Sequence, residues 1–176
     1  GSIPAEGIQA QELIGAKLAE VAAGAVRLTA AGKLEAADLF AADRSVLGLA
    51  RAEEQLDEFH ALDGRMKQIV TAWQMREIGG EQTFNDHSDP EYDAGVMREL
   101  TALHGDTAEW LAPLGERFSR FGAYSSRLSA ALAAAQGGDQ RFVASPRVDS
   151  YHSVWFELHE DLIRLAGKKR SEATTG

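Results

Sequence analysis

Cysteine is absent from the 176-residue chain. Its absence excludes disulfides, thiolate nucleophiles, Cys-x-x-Cys redox chemistry and Cys-ligated zinc or iron–sulfur centres. Positive charge is scarce: 18 Lys and Arg stand against 27 Asp and Glu, a formal net charge of -9. That balance argues against nucleic acid or an anionic membrane surface as the main partner. No apolar run approaches the roughly 18–20 residues that span a bilayer. The phosphate-cradling loops Gly-x-Gly-x-x-Gly and Gly-x-x-x-x-Gly-Lys-Ser/Thr are missing, and so is the Gly-x-Ser-x-Gly elbow of hydrolases. No Glu-x-x-His pairs of the ferritin-like kind occur either.

Alanine is what the chain has in excess, with 30 copies. Alanine loses no side-chain entropy in a helix, so the excess favours an all-α helical bundle. The length suits one domain with a small appendage. We expect an N-terminal segment over 1–50, a helical bundle over 51–170 and a frayed tail over 171–176. Gly1-Ser2 reads as a cloning remnant and not a signal peptide.

The expected first helix runs from Pro4 to Ala23 and ends at Gly24. A short extended piece follows at Val26 to Thr29, and a helix from Lys33 to Ala42. The run Leu28-Thr29-x-x-Gly32 resembles the close of the wing in a winged-helix domain, so a small winged-helix-like remnant is expected at the N-terminus. A complete winged helix needs more chain ahead of it, which would make the sequence begin inside that domain. DNA binding is disfavoured even so. Residues 1–58 carry five basic and ten acidic side chains, and phosphate contacts need clustered Lys and Arg.

Beyond Arg51 the apolar residues recur at helical spacing. Leu62, Met66, Ile69/Val70 and Trp73 form one face, Val96, Leu100 and Leu103 another, and Val154, Trp155, Leu158, Leu162 and Leu165 a third. Helices are expected over 51–59 and 62–76, with Gly79-Gly80 as the stop and a polar loop at 81–89. Asp89 is a natural N-cap with Pro90 at the first helical position. That helix should reach His104, and Gly105-Asp106 should start another, with Asp106 and Glu109 spaced as a capping box. Gly137-Gly138 closes the next helix, and Asp149 or Ser150 caps the last. Trp110, Phe118, Phe121 and Tyr124 are assigned to core packing.

Two segments concentrate polar and aromatic chemistry. The first holds Trp73, Arg76, Asp86, His87 and Tyr92, with Asn85, Asp89 and Asp93 beside them. The second holds Arg147, Tyr151, His152, Trp155 and His159, with Asp149, Glu157 and Glu160. These ten residues are the candidate ligand-binding set: Trp and Tyr rings for an apolar wall, and Arg76 or Arg147 as a fork for an anionic group. Helix capping and internal polar networks explain the same residues without a ligand. No catalytic residue, metal site or cofactor is assigned.

As a set, Val70-Thr71-Ala72-Trp73-Gln74 with Arg76, Asn85 to Asp89 with Tyr92-Asp93, and Asp149 to Leu162 are similar to a known arrangement. It is the helical C-terminal region of some actinobacterial proteins related to phosphoenolpyruvate-utilising enzymes, in which a winged-helix-like piece precedes the helical part. The resemblance spans about residues 20–172. It implies an accessory or regulatory domain and transfers no catalytic residue, because the phosphohistidine and barrel domains of such enzymes have no counterpart here. The functional expectation is therefore a cytoplasmic accessory or regulatory module that binds a small, anionic ligand or a partner protein. The alternative is a small helical enzyme using a His/Asp acid–base pair. No membrane partner and no nucleic acid are expected, and homodimer formation is compatible with the sequence.

Overall fold

The computed structural model describes residues 8–170. The start of the expected first helix, before residue 8, and the expected tail after residue 170 lie outside the described residues. The fold is mostly α: among the described residues there are seven helices and two separate two-stranded antiparallel hairpins. The chain divides into two compact units, one of positions 8–53 with 162–170 and one of positions 54–161.

In the first unit the helix α1 (Ile8–Gly15) is followed by β1 (Ala19–Ala22), β2 (Ala25–Leu28) and α2 (Ala30–Leu47). The expected helix up to Ala23 is thus corrected: residues 19–22 are a strand. Ala23 and Gly24 both adopt positive φ, 51° and 77°, which gives a two-residue hairpin turn of the hand that suits twisted strands. Pairing of Val21 with Val26 then outweighs the helix preference of the alanines. A small core of Ala10, Ala19 and Val26, flanked by Leu13 and Ile14, holds the unit together. Helix α2 starts earlier than the expected Lys33 because Thr29 caps it, its side chain accepting from the Gly32 N–H, and it runs past Ala42 to its C-cap Gly48, whose φ of 90° ends it. The Thr29 hydroxyl also donates to Lys17 O at 2.8 Å, tying the cap to the residue before the hairpin. The expected order was helix, short extended piece, helix; the structure has a two-stranded hairpin in place of the end of the first helix and the single extended piece.

The second unit begins within α3 (Leu49–Gln74), a single helix where a break near residue 60 was expected. It continues through β3 (Met75–Ile78) and β4 (Glu81–Phe84), joined by Gly79 and Gly80 at φ 62° and 87°. The expected helix end at 75–76 and the first part of the expected loop are therefore strands. Helix α4 (Pro90–Arg117) has Asp89 as N-cap, accepting from the Tyr92 N–H at 3.1 Å, and Pro90 in its first turn. It passes through Gly105 and Pro113 without the expected restart, and Asp106 binds Arg65 instead of capping a helix. One residue, Phe118, separates α4 from α5 (Ser119–Gln136). So tight a corner needs small residues: a Cβ on Gly115 would sit 3.2 Å from Gly122 Cα. A short helix, α6 (Arg141–Ala144), precedes α7 (Tyr151–Leu165), which Ser150 caps through the Ser153 N–H.

The core of this unit follows helical periodicity. Leu56, Phe59 and Met66 of α3, Leu100, Leu103 and Leu111 of α4, Phe121 and Leu128 of α5, and Val154, Trp155 and Leu158 of α7 are all buried. Phe121 and Phe118 belong to the core as expected, whereas Trp110 and Tyr124 are half-buried and engage carboxylates, Glu58 and Asp161.

Two glycines in helices should respond oppositely to alanine. A Cβ on Gly32 would lie 1.9 Å from the Leu18 carbonyl oxygen, a backbone atom that cannot give way, whereas one on Gly64 meets nothing within 4 Å. Gly32→Ala is expected to cost the first unit about 1–3 kcal/mol, seen as faster amide exchange at Ala19 and Val26. Gly64→Ala is expected to stabilise α3 by about 0.5–1 kcal/mol, seen as a raised melting temperature.

Candidate functional site

Where α3 ends, its last carbonyls need donors. The Asn85 N–H donates to Gln74 O at 2.9 Å, and the Asn85 carboxamide donates to Trp73 O at 3.2 Å and to Asp93 Oδ1 at 2.8 Å. Its oxygen accepts from the His87 N–H at 3.2 Å. One buried side chain thus joins the end of α3, the end of β4, the first turn of α4 and the backbone of His87.

His87 is held in a defined pose. Its backbone is left-handed, φ 59°, a conformation that costs a side-chain-bearing residue energy. The ring lies against Trp73 with centroids 4.4 Å apart, and Nδ1 is 2.9 Å from Asp93 Oδ2. A carboxylate only accepts, so in the neutral ring Nδ1 carries the proton and Nε2 the lone pair.

His87 and Trp73 line an open cavity of about 660 Å³. Met75, the 84% exposed Phe84, and residues of 140–146 complete it. Of the ten candidate residues, Trp73 and His87 line this cavity. Arg76 is committed elsewhere: Nη2 lies 3.5 Å from Asp89 Oδ2, and the guanidinium stands 5.3 Å over the Tyr92 ring. The Tyr92 hydroxyl donates to Ala72 O at 3.0 Å and lies 3.2 Å from Met75 O. Asp86 is exposed and forms a local turn, accepting from the Ser88 N–H and hydroxyl. Those bonds hold its carboxyl below the usual range. The cation on this cavity is Arg141, which forks onto Asp139 at 2.7 and 2.9 Å.

The second segment builds a different arrangement. Trp155 is buried, stacked on Phe59 at 4.9 Å, and its indole N–H donates to Asp63 Oδ1 at 3.0 Å. Lys67 reaches Asp63 Oδ2 at 2.8 Å, and His159 Nδ1 lies 4.0 Å from Oδ1. Burial by itself would raise the Asp63 carboxyl, but the Lys67 and Trp155 bonds, with the charge of His159, hold it below the usual range. Tyr151 is fully buried, its hydroxyl 3.2 Å from His104 Nδ1. His152 is half-buried, and burial lowers its pKa against the opposing pull of Asp63. Arg147 is exposed, with its N–H on Ser145 Oγ. Arg127 clamps Asp149 at 2.6 and 2.8 Å and Glu157 at 2.7 Å. This is the structural-network reading of that segment. The second wall of the Trp73 cavity comes from 140–146 and not from α7.

The residues that organise both places are Asn85, Asp93 and Asp63, none of which is among the ten. Asn85 and Asp93 stand out only as neighbours of His87 in the chain. Asp63 is 92 positions from Trp155, and no local pattern connects them. Among the described residues no group of three or more His, Asp or Glu is arranged to hold a metal ion.

Comparison with family models, with curated proteins and with solved structures finds no match for this chain.

Stability should fall on acidification in two stages. Burial lowers the pKa of His104 and, as its largest cause, that of His152 from the usual 6.5. Unfolding releases both to bind protons, so their contribution is complete above about pH 6.5 and lost as pH falls through their folded values. Asp63, also held low, contributes above its unfolded value of about 3.9 and is lost as pH falls through its folded pKa. Thermal melts from pH 8 to 3 should show a decline beginning below about pH 6.5. A His104→Gln/His152→Gln variant should flatten that first stage and leave the second.

Proposed function

We propose that this chain is an accessory or regulatory module that binds a small molecule in the cavity beside Trp73 and His87. The ligand has an apolar or aromatic body and one anionic or hydrogen-bonding group. One observation carries the reading: His87, in a left-handed backbone conformation, lies tilted against Trp73 and is hydrogen-bonded to Asp93 at the edge of an open cavity of about 660 Å³. Local strain held in place by surrounding bonds is characteristic of binding sites. The cavity volume lies in the range of small-molecule sites, which pair apolar walls with a few placed polar groups. Trp73, Met75 and Phe84 supply the walls, and His87 Nε2 and Arg141 the polar contacts. Arg141, the cation on this lining, is forked onto Asp139, and an anionic ligand would take that carboxylate's place. The accessory role rests on the resemblance across residues 20–172.

A second reading is favoured by the His87–Asp93 bond of 2.9 Å, the geometry of a base oriented by a carboxylate. In that reading His87 Nε2 accepts a proton from the bound molecule, with Asp93 in the orienting role.

Benzoate and indole-3-acetate serve as probes in an NMR titration. Binding is expected to move the Trp73 indole and His87 ring signals. Phe84→Ser and His87→Gln, both at exposed or half-exposed positions, should weaken it about tenfold, equal to about 1.4 kcal/mol. Shifts confined to other residues, or unchanged affinity in both variants, would contradict the site. Turnover of a substrate that disappears in Asp93→Asn while binding persists would favour the enzyme reading.

A further inference from the structure

A second cavity, of about 500 Å³, lies between α3 and α4 in the same unit. Ile69 and Val96, both nearly buried, form its apolar floor. Ala72 and Gly95 keep it open because neither carries a side chain long enough to fill it.

Its two ends differ in charge. The helices run antiparallel past it, since Tyr92 bonds Ala72 O and Arg65 pairs with Asp106. Glu91 therefore marks the Ala72 end and Arg98 the Arg65 end. Arg98 lies back over the groove: a Cβ on Gly95 would be 3.6 Å from its Nη2, the direction in which helical side chains lean. In this unit Arg65, Arg76, Arg120, Arg127 and Arg141 each hold a carboxylate. Among the described residues, Arg98 and Glu91 have no such ion pair. Glu99 shares the rim at the Arg98 end, and Arg65 there is already paired with Asp106. Arg98, leaning over the groove, is the cation left to face a ligand, and Glu91 is the anion at the other end. Four to seven residues of helix separate the two, about 6–10 Å.

We propose that this groove binds an elongated zwitterion, an apolar molecule with an ammonium group at Glu91 and a carboxylate at Arg98. The charge separation fits a dipeptide with apolar side chains, since extended chain covers about 3.3–3.6 Å per residue. An ω-amino acid of equal length presents the same charges without a peptide bond. The groove is distinct from the Trp73 cavity, and the proposal stands without it.

The test is an NMR titration of the full chain with Leu-Ala, N-acetyl-Leu-Ala, Leu-Ala amide and 6-aminohexanoate. Leu-Ala is expected to move the amide signals of Ala72, Gly95 and Val96. Each blocked analogue should bind about three- to fivefold more weakly, the size of one exposed charge pair. Arg98→Gln should weaken Leu-Ala by the same factor and leave Leu-Ala amide unchanged, and Glu91→Gln should leave the acetylated peptide unchanged. Both side chains are exposed, so folding is not at stake. Binding of 6-aminohexanoate equal to Leu-Ala would support the proposal with charge spacing as the recognised feature; binding of Leu-Ala alone would support it with a peptide as ligand. No shift at the groove with any of the four, or equal affinity for free and blocked peptides, would overturn it.

Discussion

The carboxamide of Asn85 is the bond-maker on which the candidate site depends. A helix end leaves carbonyls without donors, and a hairpin followed directly by another helix leaves little chain to satisfy them. Asn85 meets the need with both amide hydrogens, on Trp73 O and Asp93 Oδ1, and its oxygen then fixes the His87 backbone. Removing one partner from a buried set like this costs about 1–3 kcal/mol for each group left unsatisfied. That energy holds His87 in a conformation it would not choose alone, and it points the ring at Trp73. Sequence, helix termination and site geometry meet in one side chain.

Asp63 plays the matching part inside the bundle. Burying a carboxylate is unfavourable unless it is paired and hydrogen-bonded. Here the Trp155 indole and the Lys67 ammonium take both oxygens, and α7 is fixed against α3 at one register. Several polar residues of the 149–157 segment thus find partners in the protein itself: Tyr151 on His104, Trp155 on Asp63, and Asp149 and Glu157 on Arg127. The groups beside Trp73 instead face open space. The same kinds of residue, at similar density in the chain, serve packing in one place and an open cavity in the other.

The helical class was legible from alanine content and from apolar spacing in α3, α4 and α7, because core burial follows the helical period. The Asp89-Pro90 start was legible for a local reason too, and the last cap to within two residues, Asp149 or Ser150, of which the structure uses Ser150. The hairpins were not. Ala19 to Ala22 and Met75 to Ile78 have compositions that suit a helix, and their strand state comes from pairing across Ala23-Gly24 and Gly79-Gly80, an interaction between segments. Gly105 reads locally as a stop, yet α4 runs through it because the buried Leu103, Thr107 and Leu111 keep the helix on the core. For the site, Trp73 and His87 stood out by type. Arg76 lies on Asp89 and the Tyr92 ring, because a fork's target depends on which carboxylate or ring is nearest in space. Asp63 matters through its contact with Trp155, 92 positions away, and its neighbours in sequence carry no sign of that pairing.

The central claim is that Asn85 and Asp93 set His87 in one orientation and one tautomer, ready to present Nε2 to the cavity. Nitrogen NMR of the imidazole at about pH 8, above the usual histidine range, reads this directly in the wild type and in Asn85→Ala. The account predicts a His87 ring protonated at Nδ1 with a bare Nε2 and ring-current shifts from Trp73, and loss of both features in Asn85→Ala. A ring that exchanges between tautomers in the wild type, or spectra unchanged by Asn85→Ala, would contradict it.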